Sequence, residues 1–186
     1  MPRSYTKMDI ENLVKLGQKG DIDSYGKLFE LLSDEIFRYC MIQLHSVPDS
    51  EDIVSETFKK AWSYIYKYKK DNFRAFLYAI ARNLIYDYFD DKKKTNITNI
   101  DTFEKFDKHD GKSEILDKVT KDDECQKLHE AIAQLPQDYK EIVILRFIED
   151  LPVQEVAVII DKSPESVRVT QHRAIAKLKQ ILNNGR

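Results

Sequence analysis

The sequence predicts an all-α protein in which two small helical domains are joined by a flexible linker. Five prolines are spread over 186 residues, and the long proline-free stretches are rich in leucine, isoleucine, lysine and glutamate, as in helical proteins. Apolar residues recur every three or four positions through most of the chain, but this period disappears after about residue 90. We therefore expect domains over residues 8–90 and 124–184, with a linker over residues 91–123.

Four helices are expected in the first domain. A short helix near residues 9–16 precedes a long amphipathic helix over residues 22–44. Asp49 or Ser50 is placed to cap the third helix, and the acidic residues of its first turn suit the positive end of the helix dipole. The fourth helix is expected over residues 73–89. Together these helices would form one bundle of about 85 residues.

Four more helices are expected in the second domain, and the last two form a helix-turn-helix. These two helices cover residues 152–160 and 164–182, and each begins with a proline, where the missing N–H costs nothing. The turn between them has three residues, and Ser163 is placed to cap the helix that follows. The side chains expected to face inward are Val156, Ala157 and Ile160 on the first helix and Val167, Ala174 and Leu178 on the second.

The outward face of the last helix is basic. Residues 162–186 contain six basic residues and one acid, Glu165, a local charge of +5 in a chain whose net charge is −2. Such a basic stripe favours a polyanionic partner, and an arginine side chain can donate two hydrogen bonds to guanine. Spacing alone also allows a helical hairpin with a solvated basic face. The outward or flanking residues that could contact DNA are Ser166, Arg168, Val169, His172, Arg173 and Lys177.

Composition and spacing exclude several other classes of site. The five glycines form no phosphate-binding loop of the dinucleotide or P-loop type. Cys40 and Cys125 are too few for a disulfide framework, and neither lies beside a second ligand at metal spacing. The N-terminus leads into no apolar signal segment, and no window approaches 18 apolar residues. We therefore expect a cytoplasmic protein with no membrane insertion, metal or cofactor.

Four motifs resemble those of the extracytoplasmic-function sigma factors of bacteria. Residues 49–62 (DSEDIVSETFKKAW) and 73–87 (FRAFLYAIARNLIYD) closely resemble the promoter-melting domain of that family. Residues 135–147 (LPQDYKEIVILRF) and 167–178 (VRVTQHRAIAKL) resemble its C-terminal domain. The four motifs follow the family's order over nearly the whole chain, which makes them far more specific than a single helix-turn-helix.

The resemblance implies a dissociable initiation subunit of RNA polymerase that performs no catalysis. Its expected partners are core RNA polymerase and promoter DNA, and it would act as a monomer within the holoenzyme. An anti-sigma factor is a further candidate partner, since a dedicated one is common in the family. No catalytic residue is assigned.

The resemblance also implies where this chain meets its partners. In the family, an acidic helix that opens like residues 49–62 docks on a coiled coil of the largest catalytic subunit, which makes Asp52, Glu56 and Lys59 the candidate core-binding residues. The loop before Phe73 and the helix after it are assigned to the minus-ten element, and the outward residues of the last helix to the minus-thirty-five element. Capturing a base outside the stack calls for aromatic, amide and cationic side chains. The minus-ten candidates are Tyr66, Lys67, Asn72, Arg82 and Asn83.

The chain departs from the family pattern at three places. Ser55 stands where relatives often have a glutamine that faces the polymerase. The loop that carries the minus-ten candidates lacks the glycine that many relatives have. Asp90 and Asp91 precede Lys92 where relatives commonly continue with arginines. We expect the two aspartates either to weaken binding to the upstream duplex, because like charges repel phosphate, or to end the helix.

Two other classes of protein fit parts of the sequence. A stand-alone helix-turn-helix repressor or activator would bind DNA without polymerase, but it gives no reason for the motifs at residues 49–62 and 73–87. A metal-dependent nuclease would need a cluster of carboxylates on one helix, together with histidine at ligand spacing, which is missing. Capping and the helix dipole account for such acids equally well. The carboxylates in question are Asp49, Glu51, Asp52 and Glu56.

Overall fold

The computed structural model describes residues 6–69, 72–98 and 123–184, and all regular structure in these ranges is helical. The all-α prediction is therefore confirmed. The chain divides into two compact units, Met1–His109 and Asp110–Arg186. Among the described helices, none is long and apolar enough to cross a bilayer. The expected domain boundaries stay predictions, and most of the expected linker lies outside the described residues.

In its described residues, 6–69 and 72–98, the first unit is a bundle of four helices. Its elements are α1 (Lys7–Gly17), α2 (Ile22–Leu44), α3 (Val47–Tyr64), a 3-10 turn (Ile65–Lys67) and α4 (Phe73–Thr98). Helix α1 begins with a capping box, in which the Thr6 hydroxyl accepts from the backbone of Asp9 and the Asp9 carboxylate accepts from the backbone of Thr6. Asp21 caps α2 by accepting a hydrogen bond from the N–H of Ser24 at 3.2 Å.

The core of this bundle lies where α2 packs against the other three helices. Tyr39 of α2 and Tyr78 of α4 meet edge to face with their ring centroids 5.4 Å apart. Burying a large apolar side chain stabilises a fold by about 1.5–3 kcal/mol, so this cluster holds the first unit together. Its largest fully buried side chains are Tyr39, Tyr78, Phe73, Leu28, Ile36, Ile65, Leu77 and Val14.

Helix α3 begins earlier than the sequence indicated. Ser46 is its cap, and the Ser46 hydroxyl accepts from the N–H of Asp49 at 3.4 Å. Pro48 therefore lies in the first turn, where a missing N–H is harmless. The prediction that Asp49 or Ser50 caps the helix was wrong. Asp49 instead accepts a hydrogen bond of 2.6 Å from the hydroxyl of Tyr88, which ties α3 to α4.

Helix α4 continues past its predicted end at Phe89 and reaches Thr98. The expectation that Asp90 and Asp91 could end the helix was also wrong. The Lys94 ammonium lies 3.5 Å from the Asp91 carboxylate, three positions earlier, and the Lys92 ammonium lies 4.3 Å from the centre of the Tyr88 ring. Contacts between residues three or four apart support a helix, so the aspartates are part of α4.

The hydrogen bond from Tyr88 holds the pKa of Asp49 below its ordinary value. A carboxylate with a lowered pKa stabilises the fold above its ordinary pKa, and this contribution is lost as the pH falls through the lowered value. We therefore expect Tyr88→Phe to raise the pKa of Asp49 and to be less stable than wild type at neutral pH, with a difference that shrinks in acid. NMR titration of the Asp49 carboxyl measures the change, and an unaltered pKa would contradict it.

The described part of the second unit, residues 123–184, contains four helices and a short π-helical segment. Its elements are α5 (Asp123–Ala133), α6 (Gln137–Val143), the π-helical segment (Ile144–Ile148), α7 (Val153–Ile159) and α8 (Pro164–Asn184). The π-helical segment continues directly from the end of α6. The N–H of Glu149 donates to the carbonyl of Ile144, five positions earlier, which is the wider spacing of a π-helix. Ile142, Ile144, Leu145 and Leu151 are fully buried here.

Candidate nucleic-acid and polymerase interfaces

Helices α7 and α8 form the predicted helix-turn-helix. Asp161 in the turn has a left-handed backbone with φ of 53°, a conformation that aspartate tolerates better than most residues. The Ser163 hydroxyl accepts from the N–H of Ser166 at 3.2 Å, so the predicted cap of α8 is confirmed. The six side chains expected to face inward are all buried: Val156, Ala157, Ile160, Val167, Ala174 and Leu178.

The opposite face of α8 is open to solvent and carries most of the minus-thirty-five candidates. Val169 is 51% exposed, and Arg168, His172, Arg173 and Lys177 are exposed as well. The Arg168 guanidinium lies 3.6 Å from the Glu165 carboxylate, a surface ion pair worth at most about 1 kcal/mol. Arg168 can therefore exchange this partner for DNA.

Ser166 differs from the other candidates on α8. It is half-buried, and its backbone carbonyl accepts a hydrogen bond of 2.9 Å from the Thr170 hydroxyl. It lies in the first turn of the helix, beside the cap at Ser163. This candidate therefore lies at the edge of the exposed face, nearest the turn.

Arg146 supports α8 from outside the helix-turn-helix, and the sequence reasoning did not identify it. Its Nε donates to the side-chain oxygen of Gln171 on α8 at 3.1 Å, and its Nη1 donates to the carbonyl of Leu151. The arginine therefore connects the π-helical segment and the following loop to α8. The signal that could have found it is a charged residue inside the apolar run of residues 142–148, because a charge among apolar residues needs polar partners.

The candidate core-binding residues lie on one side of α3. Asp52 and Lys59 are exposed and Glu56 is partly exposed, and their spacing of four and three positions places them on the same helix face. The Lys59 ammonium lies 3.1 Å from the Glu56 carboxylate. Phe58 and Ala61 are buried on the other side of α3, so the bundle core leaves this charged face available to a partner.

The loop between α3 and α4 contains three minus-ten candidates, of which two are exposed and one is half-buried. Tyr66 is 61% exposed and Lys67 is exposed. Asn72 is half-buried, and its side-chain oxygen accepts from the N–H of Ala75 at 3.0 Å. Asn72 is thus the cap of α4, a role that the sequence reasoning had not assigned to it.

The remaining two candidates lie on α4. Asn83 is exposed and lines an open groove between α3 and α4. Arg82 is half-buried, and its guanidinium carbon lies 4.7 Å from the centre of the Tyr86 ring, a cation–π contact. The structure therefore brings Asn83 together with aromatic and basic side chains of α3. The groove is lined by Lys60, Ser63, Tyr64, Ile80 and Asn83.

Two protein families match this chain, and each match falls in one of the two units. Residues 28–95 match sigma-70 region 2, and residues 125–178 match sigma-70 region 4. The first range covers most of the helical bundle with the acidic face of α3 and the loop before α4. The second range covers the helix-turn-helix and Arg146. The order of the two regions is the order of the motifs in the sequence.

Curated relatives and solved structures agree with this assignment. The extracytoplasmic-function RNA polymerase sigma factor BldN of Streptomyces coelicolor is 31% identical over 91% of this chain, which spans 64% of BldN. The RNA polymerase sigma factor SigV of Bacillus subtilis is 32% identical over 79% of this chain and 83% of its own length.

Two solved structures share the fold at 20% identity. CnrH, in complex with the cytosolic domain of CnrY, has a TM-score of 0.72 and covers 95% of this chain and 98% of its own. The sigma factor RpoE, in complex with the anti-sigma factor NepR from Bartonella quintana, has a TM-score of 0.67 and covers 87% and 98%. With both sigma-70 regions in order and relatives that align along most of its length, this chain belongs to the extracytoplasmic-function family of RNA polymerase sigma factors, which direct the core enzyme to promoters.

Proposed function

We propose that this chain docks on core RNA polymerase through the charged face of α3 and reads both promoter elements. The outward face of α8 reads the minus-thirty-five element. The loop before α4, together with Arg82 and Asn83, recognises and opens the minus-ten element. The observation that carries the proposal is the division of α8 into a fully buried apolar side and an exposed side with Arg173 and His172 at its centre.

The geometry of α8 suits the major groove. In a helix-turn-helix the second helix enters the groove and its first turns meet the base edges. Arg168, Val169, His172 and Arg173 lie in the first half of α8, and Lys177 and Lys179 follow toward its end, where a lysine can neutralise phosphate. The proposal therefore gives base readout to the early residues and backbone contacts to the later ones.

The loop before α4 supplies the chemistry that strand opening requires. A protein that opens DNA without ATP holds a base outside the stack, using aromatic surfaces, amide groups and cations. Tyr66 and Lys67 project from the loop, and Asn83 lines the groove beside Tyr64 and Lys60. The side chains of all three kinds therefore lie within the first unit.

The proposed partners follow from this function. The chain acts in the cytoplasm as one subunit of the holoenzyme and contributes no catalytic residue. An anti-sigma factor is a further proposed partner, supported by the related RpoE fold, which was solved with the anti-sigma factor NepR bound. An anti-sigma factor would compete with core polymerase for binding to this chain.

In vitro transcription with purified core polymerase on a promoter library tests the proposed function. We expect specific transcripts only when this chain is present, from promoters that share one minus-thirty-five and one minus-ten sequence. Specific DNA binding by the chain alone, without any transcript, would instead favour a stand-alone helix-turn-helix regulator.

Asp90 and Asp91 are expected to weaken binding to the upstream duplex. Both are exposed on α4, and Lys92 and Lys94 follow them on the same helix. Replacing both with asparagine removes two charges that repel phosphate, and Asp91→Asn also releases Lys94 from its ion pair. We expect the holoenzyme of this variant to bind promoters more tightly, with a steeper dependence on salt and unchanged base preference.

A salt series of promoter-binding measurements tests this expectation. The matched control is the double substitution Glu30→Gln and Asp34→Asn. It also removes two exposed negative charges, but from α2 instead of α4. If the asparagine variant and wild type have the same affinity and salt slope, Asp90 and Asp91 do not act on DNA.

A further inference from the structure

The side chain of Gln18, at the end of α1, contacts the loop before α4, defined as residues 65–69 and Asn72. Gln18 is the C-cap residue of α1. Its side-chain amide donates to the carbonyl of Ile65 at 3.1 Å and to the carbonyl of Tyr68 at 2.7 Å. One amide group therefore joins the first and fourth residues of the loop and closes the 3-10 turn between them.

The residue before Gln18 allows α1 to lie close to this loop. A Cβ atom placed on Gly17 would stand 2.9 Å from Cδ1 of Ile65, a distance that real Cβ contacts avoid. Ile65 is fully buried, so its side chain fills the space that a larger residue at position 17 would take. The close approach keeps the amide of Gln18 within reach of the loop carbonyls.

A second residue of α1 holds the other end of the loop. The Glu11 carboxylate accepts from the N–H of Phe73 at 3.1 Å, which is one of the donors that the first turn of α4 leaves without a helical partner. The N–H of Asn72 donates to the hydroxyl of Tyr68 at 2.8 Å. The Tyr68 ring packs 5.5 Å from the Phe73 ring, so this end of the loop folds back on itself.

The side chains of the loop fall into a buried group and an exposed group. Ile65 and Tyr68 are held inward at 0% and 9% exposure, whereas Tyr66 between them is 61% exposed and Lys67 is exposed too. The anchored residues are those whose carbonyls Gln18 binds. The residues that α1 contacts in the loop are therefore the buried ones, and the exposed side chains lie between and beside them.

We propose that Gln18 and Glu11 are positioning residues, which order the loop before DNA arrives so that Tyr66 and Lys67 stand ready for base capture. Ordering a flexible backbone costs free energy for each residue, and an arrangement formed in advance removes that cost from binding. This inference rests on the proposed assignment of the loop to the minus-ten element. A simpler role, anchoring α1 for stability alone, makes a different prediction.

Gln18→Met separates the two roles, since methionine keeps the length of the side chain and removes both hydrogen bonds. The probe is a single-stranded oligonucleotide with the minus-ten sequence selected by the transcription experiment, bound to the holoenzyme. We expect the variant to bind this probe about fivefold to tenfold more weakly. Its affinity for core polymerase and for a minus-thirty-five duplex should equal that of wild type.

Substitutions at two further residues, Tyr25 and Glu11, control for stability and for charge. Tyr25→Phe removes a hydrogen bond of 2.5 Å to the Phe58 carbonyl in the same unit, so it should lower the melting temperature without changing affinity for the probe. Glu11→Ala should weaken probe binding, whereas Glu11→Gln should bind like wild type, because an amide oxygen can accept from Phe73 as well.

The outcomes distinguish the inference from the function on which it rests. If Tyr66→Ala and Lys67→Ala weaken probe binding while Gln18→Met does not, the positioning role is wrong and the minus-ten assignment stands. If Gln18→Met and Tyr25→Phe lose equal affinity, Gln18 acts through stability alone and the positioning role is wrong. If Tyr66→Ala and Lys67→Ala both bind like wild type, the minus-ten assignment fails and the positioning role fails with it.

Discussion

Replacing Asp52 and Glu56 with lysine is expected to abolish co-purification of this chain with core RNA polymerase. The two acids lie one helical turn apart on the exposed face of α3. Reversal converts two attractive contacts into repulsive ones and also turns the ion pair between Glu56 and Lys59 into a pair of like charges. Like charges placed together at an interface cost several kcal/mol, which corresponds to a loss of affinity of at least about a hundredfold.

The control for this result is a second charge reversal of the same size. Glu30 and Asp34 are exposed on α2 with the same four-residue spacing, and replacing both with lysine changes the net charge by the same amount. This control should co-purify with the core enzyme as wild type does, and both variants should keep the wild-type melting temperature within a few degrees. If the variant with lysine at both Asp52 and Glu56 recovers as much core polymerase as wild type does, α3 does not dock on the polymerase through these residues.

Arg173→Ala is expected to remove the base preference at one position of the minus-thirty-five element. Arg173 is exposed at the centre of the outward face of α8, and a guanidinium can donate two parallel hydrogen bonds to guanine. Losing such a contact costs about 1–3 kcal/mol, roughly a fivefold to 150-fold loss of affinity for the preferred promoter. Promoters with other bases at that position should lose much less.

Two variants on the same helix separate readout from simple charge. Arg173→Lys keeps the charge but not the paired donors, so it should also relax the base preference. Lys179→Ala should weaken binding to all promoters alike, because a phosphate contact carries no sequence information. Binding to a set of promoters with each base substituted in turn measures both effects. Unchanged preferences in both Arg173→Ala and Arg168→Ala would mean that α8 is not the reader.

Local patterns were sufficient to predict the buried and exposed faces of α8. The buried positions Val167, Ala174 and Leu178 follow from helical periodicity, which needs no knowledge of the rest of the chain. The cap at Ser163 follows from the chemistry of a serine directly before a proline. Such predictions depend on residues within a few positions of one another, and the structure confirmed them.

Predictions that depended on a choice between equivalent neighbours failed. Ser46, Asp49 and Ser50 can all cap a helix, and the contact that occupies Asp49 comes from Tyr88, 39 positions away. The end of α4 was misplaced for a similar reason, since aspartates can end a helix or continue it. In the structure an ion pair and a cation–π contact accompany the continued helix.

Residues that act across long sequence separations had no signal in the sequence. Gln18 contacts the loop before α4 from 47 and 50 positions away, Glu11 contacts the first residue of α4 from 62 positions away, and neither belongs to a motif. Asn72 was correctly placed in that loop, but its role as a cap depends on where α4 begins. Arg146 had only a weak signal, a charge in an apolar run.

Helix α4 is continuous from Phe73 to Thr98, so it fixes the distance between the residues that lie along it. Asn83 and Lys92 are nine positions apart on it, about 13 Å along the axis, which is the rise of about four base pairs. Adding or deleting one residue between them would shift the lysine by about 1.5 Å and turn it by about 100° around the axis. If Asn83 contacts the minus-ten element as proposed, we expect the number of residues between Asn83 and Lys92 to set how far from that contact Lys92 can meet the upstream duplex.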